Sequence, residues 1–316
     1  MSGGGSAPGL IGVMRGARAD LAAIREIAGA ARVLDLEDAD PVPELAALLG
    51  AEPFDDFSAL PHLRWVHSAA AGVDGWLASG RLPEQVTLTS AVGNGAIPLA
   101  EHALMLMLML SRDAPRWARA QSRRSWERRA HGELAGARLG ILGYGNSGRD
   151  LAAKALACRM EVRALRRREG AVRDGGVRLL RGPDGLRELL TTSDYLVVTA
   201  PRTAETAGMI GAAQIAQLPP GAAIIVVSRG GIVDEDALLA ALRSGHLSGA
   251  GLDAHAVEPL PQDSPLWDAP GTIITPHNAA TTAGTARRGR QIMLENLERW
   301  VRGQELRNVV DRTAGY

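Results

Sequence analysis

One cysteine, Cys158, and one lysine, Lys154, occur in the 316 residues. A single cysteine cannot close an intramolecular disulfide or build a cysteine-based metal cluster, and no metal site is expected. Arginine makes up for the missing lysine, which reads as GC-rich coding and not as function. Net charge is also missing, because 35 basic residues balance 35 acidic ones. A nucleic-acid or anionic-membrane partner normally goes with a basic surplus, so neither is expected. The longest apolar run, 103–110, is eight residues, far short of the roughly 20 that span a bilayer. The opening nine residues, MSGGGSAPG, lack the charged start and apolar stretch of a secretion signal. They read as a disordered tail on a cytoplasmic protein.

What is present is core-forming material: 46% of residues are hydrophobic and 22% charged. The length suits two domains of roughly 100–200 residues each. Apolar strand candidates at 10–14, 32–36, 63–68 and 86–90 alternate with a helical pattern at 21–30. A second α/β series follows, with strands at 138–142, 161–165, 195–199, 222–228, 249–252 and 272–275 and a closing helix at 285–301. Such alternation predicts parallel sheets. Between the two series lies a helix at 98–112 that is apolar nearly all round, including Leu99, Ala103, Leu106, Met107 and Leu110. It must be covered on more than one side, by the fold or by a second subunit. The Arg-rich stretch 113–136, with Trp117 and Trp126, reads as a solvated face.

Gly143, Gly145 and Gly148 form G-x-G-x-x-G after the strand at 138–142, with helical pattern at 150–157. The motif is unspecific alone, but in this setting each glycine has a physical role. Gly143 allows the tight turn, Gly145 a close approach to a pyrophosphate, and Gly148 close helix–strand packing. Asn146 and Ser147 complete the loop, and the helix N-terminus offers N–H groups to the anion. About 20 residues on, an NAD-binding protein places an acid for the ribose hydroxyls. Arg166, Arg167 and Arg168 stand there instead. Guanidinium groups suit a 2′-phosphate, so NADP is the expected cofactor, with NAD as the alternative.

Two residues that follow strand ends, and a third available to pair with one of them, suggest chemistry. Arg229 comes directly after the strand ending at Ser228 and could grip a carboxylate bidentately. Asp234 reads as the N-cap of the next helix, with Gly245 past its end. His277 follows the strand at 272–275, and Glu258 is available as its partner. A carboxylate beside the imidazole favours its charged form and makes an acid–base pair. The other histidines, His62, His67, His102, His131, His246 and His255, read as structural hydrogen-bonders.

These blocks, in this order, resemble the D-isomer-specific 2-hydroxyacid dehydrogenases. The resemblance rests on the Gly143–Gly148 loop, on Val227 to Leu238 with Arg229, on Glu258-Pro259-Leu260-Pro261, and on Thr275-Pro276-His277. It extends to Ala70-Ala71-Gly72-Val73-Asp74, which is similar to the family's substrate loop. It implies an α/β protein of two Rossmann-like or flavodoxin-like parallel-sheet domains with the active site in the cleft between them. The substrate domain would comprise 8–96 and 286–316, and the nucleotide domain 97–285. It implies hydride transfer between NAD(P)H and a small 2-keto acid, of the glyoxylate or hydroxypyruvate type, by a homodimer joined through the 98–112 helix. In that scheme His277 exchanges the proton, Glu258 orients it, and Arg229 holds the carboxylate and carbonyl. The backbone of Ala71 and Gly72 would receive the carboxylate. Pro201, Thr206, Ser228 and Asp253 would line the cofactor, Asp253 against the nicotinamide carboxamide.

Five positions depart from the family pattern: Ala70 for Gly, Asn146-Ser147 for a basic–aliphatic pair, Arg202 for an aliphatic residue, and His255 for an aromatic, often Phe. Formate dehydrogenases carry Gln where Glu258 stands, which disfavours that activity. Phosphite-oxidising relatives keep the Glu. A nucleotide-sensing corepressor on the same fold is the non-enzymatic alternative.

Overall fold

The computed structural model describes residues 9–36, 42–54, 56–167 and 170–315. Residue 8, the N-terminal tail before it, and Arg168 lie outside this set. The chain divides into two compact units, with breaks between Gly95 and Ala96 and between Thr281 and Thr282.

The first unit contains β1 (Leu10–Val13), α1 (Leu21–Ala28), β2 (Val33–Asp35), β3 (Leu45–Ala51), β4 (Trp65–Ser68), α2 (Asp74–Ser79) and β5 (Thr87–Ser90). The strands form a parallel sheet in the order β2-β1-β3-β4-β5, the flavodoxin-like winding. Central β3 is buried at all seven positions. It has no counterpart among the sequence-read strands. Its Leu–Ala composition favours helix, and a strand covered on both faces shows no alternation.

The second unit opens with α3 (Ala96–Arg112) and α4 (Ala114–Ser122). The stretch read as a solvated face therefore begins as a helix, with Ala120 buried. Then follow β6 (Arg138–Leu142), α5 (Asn146–Ala157), β7 (Glu161–Leu165), β8 (Arg173–Asp174), β9 (Val177–Leu180), α6 (Gly182–Thr191), β10 (Tyr195–Val198), α7 (Ala212–Ile215), β11 (Ala222–Val226), α8 (Glu235–Arg243), β12 (Leu247–Leu252) and β13 (Thr272–Ile274). The sheet runs β13-β12-β11-β10-β6-β7-β9-β8. Only β8 is antiparallel to its neighbour. From β9 to β12 this is the order of a dinucleotide-binding sheet, with its switch point between β6 and β10. Two apolar clusters cover the two faces. Asp234 caps α8, accepting from the N–H groups of Asp236 and Ala237 at 3.0 Å each.

The last helix, α9 (Ala283–Val301), belongs to the first unit and packs on α1. Met293 and Leu297 fill one core with Ile11, Ile24 and Trp65. Buried Asn296 bonds the backbone of Arg307 through both amide atoms, at 2.9 and 2.8 Å. This pins the C-terminal tail, which pairs antiparallel with β5 through Thr89 and Val309. Among the described residues no helix is long and apolar enough to cross a membrane.

Candidate active site

The glycine loop joins β6 to α5 at the carboxyl edge of the sheet. Gly143 has φ +104, and a Cβ there would lie 2.6 Å from Ala200 N. A Cβ on Gly148 would meet the Gly143 carbonyl oxygen at 2.2 Å. Both positions therefore require glycine. A Cβ on Gly145 would meet nothing within 4 Å, so its side of the turn is open to a ligand. Helix α5 starts at Asn146, four residues before the sequence pattern does, because Asn, Ser and Gly are poor helix formers. Asn146 and Ser147 thus sit in its first turn, where N–H groups lack helical partners. Thr199 ties the turn to β10, its hydroxyl donating to Gly143 O at 2.7 Å.

Arg166 follows β7 directly and is half-buried. Its Nη2 donates to Ala171 O at 2.7 Å, while its buried Nε has no partner among the described residues. Arg167 is exposed. Beside the loop lies a group that the sequence reading missed. Tyr144 and Arg149 both donate to Asp174 Oδ2, at 3.1 and 3.3 Å, and the Arg149 guanidinium lies 5.1 Å from the Tyr144 ring centre. Burial, and then the Asp174 carboxylate, push the Tyr144 phenol up. Tyr144 and Arg149 are visible in the motif, but nothing local in sequence ties Asp174 to them.

Thr206 closes a turn on itself, donating to Pro201 O at 2.7 Å and accepting from Thr203 N at 2.8 Å. Strand β11 ends at Val226, two residues earlier than its apolar run, and Ser228 and Arg229 lie beyond it. Arg229 is half-buried and its Nη1 donates to Ser228 O at 2.8 Å. The Ser228 hydroxyl is buried without a partner among the described residues. An open glycine turn, unpaired α5 N–H groups and an orphaned hydroxyl on the same sheet edge fit a dinucleotide.

Glu258 and His277 come together. His277 Nδ1 lies 2.7 Å from Glu258 Oε2, and Glu258 Oε1 accepts from His255 N at 2.8 Å. Burial pushes the Glu258 carboxyl up, but the His255 N–H and the His277 imidazole outweigh it and hold it below the ordinary range. An ionised carboxylate only accepts, so Nδ1 carries the hydrogen and Nε2 is the nitrogen left to exchange a proton. His277 itself has φ +49, in the left-handed region.

Asp253, at the end of β12, is fully buried. Its carboxylate accepts from Thr275 Oγ1 at 2.6 Å, Asn278 N at 3.1 Å and Ala279 N at 3.0 Å. His255 is buried, and neither ring nitrogen has a partner among the described residues, unlike the structural hydrogen-bonder expected there. Gly230 is glycine because a Cβ would meet the His255 carbonyl at 1.9 Å. Ala71 and Gly72 follow β4 in the first unit, exposed and half-buried respectively. Among the described residues no three His, Cys, Asp or Glu side chains group as metal ligands.

Sheet order, glycine turn and helix together define a dinucleotide-binding unit. A family model described as D-isomer specific 2-hydroxyacid dehydrogenase, NAD binding domain, matches residues 104–279, and the chain belongs to that family. A D-isomer specific 2-hydroxyacid dehydrogenase from Xanthobacter autotrophicus Py2, solved with NADPH and MES, is 34% identical with a TM-score of 0.84, covering 98% of this chain and 100% of that one. An NADPH-dependent glyoxylate/hydroxypyruvate reductase from Sinorhizobium meliloti, solved with NADP and sulfate, is 29% identical with a TM-score of 0.84, covering 97% and 99%. A D-3-phosphoglycerate dehydrogenase from Archaeoglobus fulgidus is 33% identical over 260 residues, which are 80% of this chain and 48% of that protein. The chain thus spans about half the length of the phosphoglycerate dehydrogenases it matches. A glycerate dehydrogenase from Methylorubrum extorquens is 32% identical over 81% of this chain and 82% of its own length.

Proposed function

We propose that the protein reduces a small 2-keto acid, of the glyoxylate or hydroxypyruvate type, to the D-2-hydroxy acid, with NADPH preferred over NADH. The observation that carries this reading is the 2.7 Å contact between His277 Nδ1 and Glu258 Oε2. Reducing a ketone to an alcohol requires a proton as well as a hydride. His277 Nε2 is the atom that delivers the proton, and Glu258 keeps the ring oriented. Arg229 receives the substrate carboxylate. The cofactor is held by the Gly143–Gly148 turn with Asn146 and Ser147, by Pro201, Thr206, Ser228 and Asp253 along the sheet edge, and by Arg166 and Arg167 at its 2′-phosphate. When bound, its nicotinamide supplies the hydride, and the protein contributes orientation and charge.

Support for NADP comes from the Arg after β7 and from two similar proteins solved with NADPH or NADP. The test is NADPH oxidation against glyoxylate, hydroxypyruvate, pyruvate and 3-phosphohydroxypyruvate. Turnover should be highest with one of the first two. A folded protein that binds NADPH but turns over none of them contradicts the reading.

The same reading includes a homodimer through α3. Ala100, Ala103, Leu106 and Met107 are buried in the core of the second unit, yet Ile97, Met105 and Leu108 are 42%, 39% and 42% exposed on another face. An apolar face of this kind calls for a cover.

A further inference from the structure

The turn that carries His277 is held from beneath by a partly buried hydrogen-bond chain that begins on α3 and ends on buried Asp253. His102 Nε2 lies 3.0 Å from Thr275 Oγ1, and Thr275 Oγ1 lies 2.6 Å from Asp253 Oδ1. A hydroxyl has one hydrogen, and the carboxylate takes it. Thr275 can then only accept from His102, which fixes the His102 hydrogen on Nε2. Asp253 also accepts from the N–H groups of Asn278, through Oδ1, and Ala279, through Oδ2, on the far side of His277. The backbone is therefore clamped two residues before and one and two residues after the imidazole. This holds His277 at φ +49, a conformation that non-glycine residues rarely adopt.

Packing brings His102 within reach. Residues 102, 106 and 110 are one helical turn apart and share a face of α3. A Cβ on Gly251 would lie 2.9 Å from Leu106 Cβ, and one on Gly249 would lie 3.0 Å from Leu110 Cδ2. Two glycines in β12 thus let α3 settle on the strand, and one turn further along His102 meets Thr275.

We propose that His102, through Thr275 and Asp253, is a positioning residue for the His277 imidazole. It touches neither substrate nor cofactor in this scheme. The inference rests on the reading of His277 and Glu258 as the acid–base pair. It implies that removing either donor of the chain loosens the ring without removing any reacting group.

The test compares Thr275→Val with Thr275→Ser, and His102→Leu with His102→Gln, which keeps an N–H near the Nε2 position. The His277 ring 15N shifts are read in the free protein, and kcat and KM are read with NADPH and hydroxypyruvate. Thr275→Val and His102→Leu should shift the ring signals and lower kcat by about 10–100-fold, a fraction of what proton transfer itself is worth. KM should stay within about twofold, and the Ser and Gln variants should remain near wild type. Unchanged ring signals and kcat in folded Thr275→Val or His102→Leu overturn the proposal. If one variant fails to fold, the pair at the other end of the chain decides alone. Failure of the reductase reading would appear as absent turnover in the wild type, and the ring signals would still report on the positioning.

Discussion

The imidazole of His67 lies 2.8 Å from the hydroxyl of Thr89, across the β4–β5 pair, and Thr89 also accepts the Trp65 indole N–H at 2.8 Å. Whichever tautomer His67 adopts, its buried Nε2 has no partner among the described residues. Burial lowers the His67 pKa from 6.5 to about 4. The unfolded chain gains this proton near pH 6.5, whereas the folded chain does not accept it until about pH 4. Stability of the first unit is therefore full above pH 6.5 and falls as pH drops toward 4, by about 3 kcal/mol in all. Urea unfolding at pH 7.5 and pH 4.5 should show this loss in the wild type and most of it removed in His67→Phe. Equal acid sensitivity in the two proteins contradicts the assignment.

Removal of the proposed acid–base group should leave the fold and remove the rate. His277→Ala is expected to lower kcat by about 10²–10⁴-fold, the usual worth of a positioned proton donor. Arg229→Ala should lower kcat/KM for the keto acid at least as far while the circular dichroism spectrum is unchanged. Near-normal turnover in a well-folded Arg229→Ala protein would remove Arg229 from the site.

Cofactor choice should follow Arg166 and Arg167. One or two charge-assisted bonds to a 2′-phosphate favour NADPH over NADH by about ten- to a thousandfold. An Arg166→Asp/Arg167→Ala variant should lose most of that preference, chiefly in KM for NADPH. Equal or better kcat/KM with NADH in the wild type refutes the idea.

The exposed face of α3 predicts the assembly state. Sedimentation at micromolar concentration should give twice the chain mass, and Leu108→Glu should shift the protein toward monomer by placing a charge on that face. A monomeric wild type contradicts the homodimer.

The sequence disclosed the parts of the site that depend on local constraint. Gly143, Gly148 and the Asp234 cap were legible because turns and helix ends restrict residue type within a few positions. Strand β3 and the early start of α5 were not, because central burial erases alternation and a ligand-facing helix turn uses poor helix formers. The pairing of Glu258 with His277 was legible as a spacing, though not as a 2.7 Å contact. Asp174 beside Tyr144, and His102 beside Thr275, join residues far apart in the chain through sheet order and helix packing. A single sequence gives no local trace of either.

The place of α9 has a consequence for how the chain is made. Met293 and Leu297 share a core with Ile11 and Ile24, and Trp300 lies 5.3 Å, ring centre to ring centre, from Trp65. That core cannot close while α9 is still within the ribosome. The second unit is drawn from one continuous stretch, so its sheet can form as soon as β13 emerges. Domains usually fold in the order of synthesis, but here the unit that starts first finishes last. Until α9 arrives, α1 and β1 wait with an apolar surface bare, and a chain stalled in that interval offers it to chaperones.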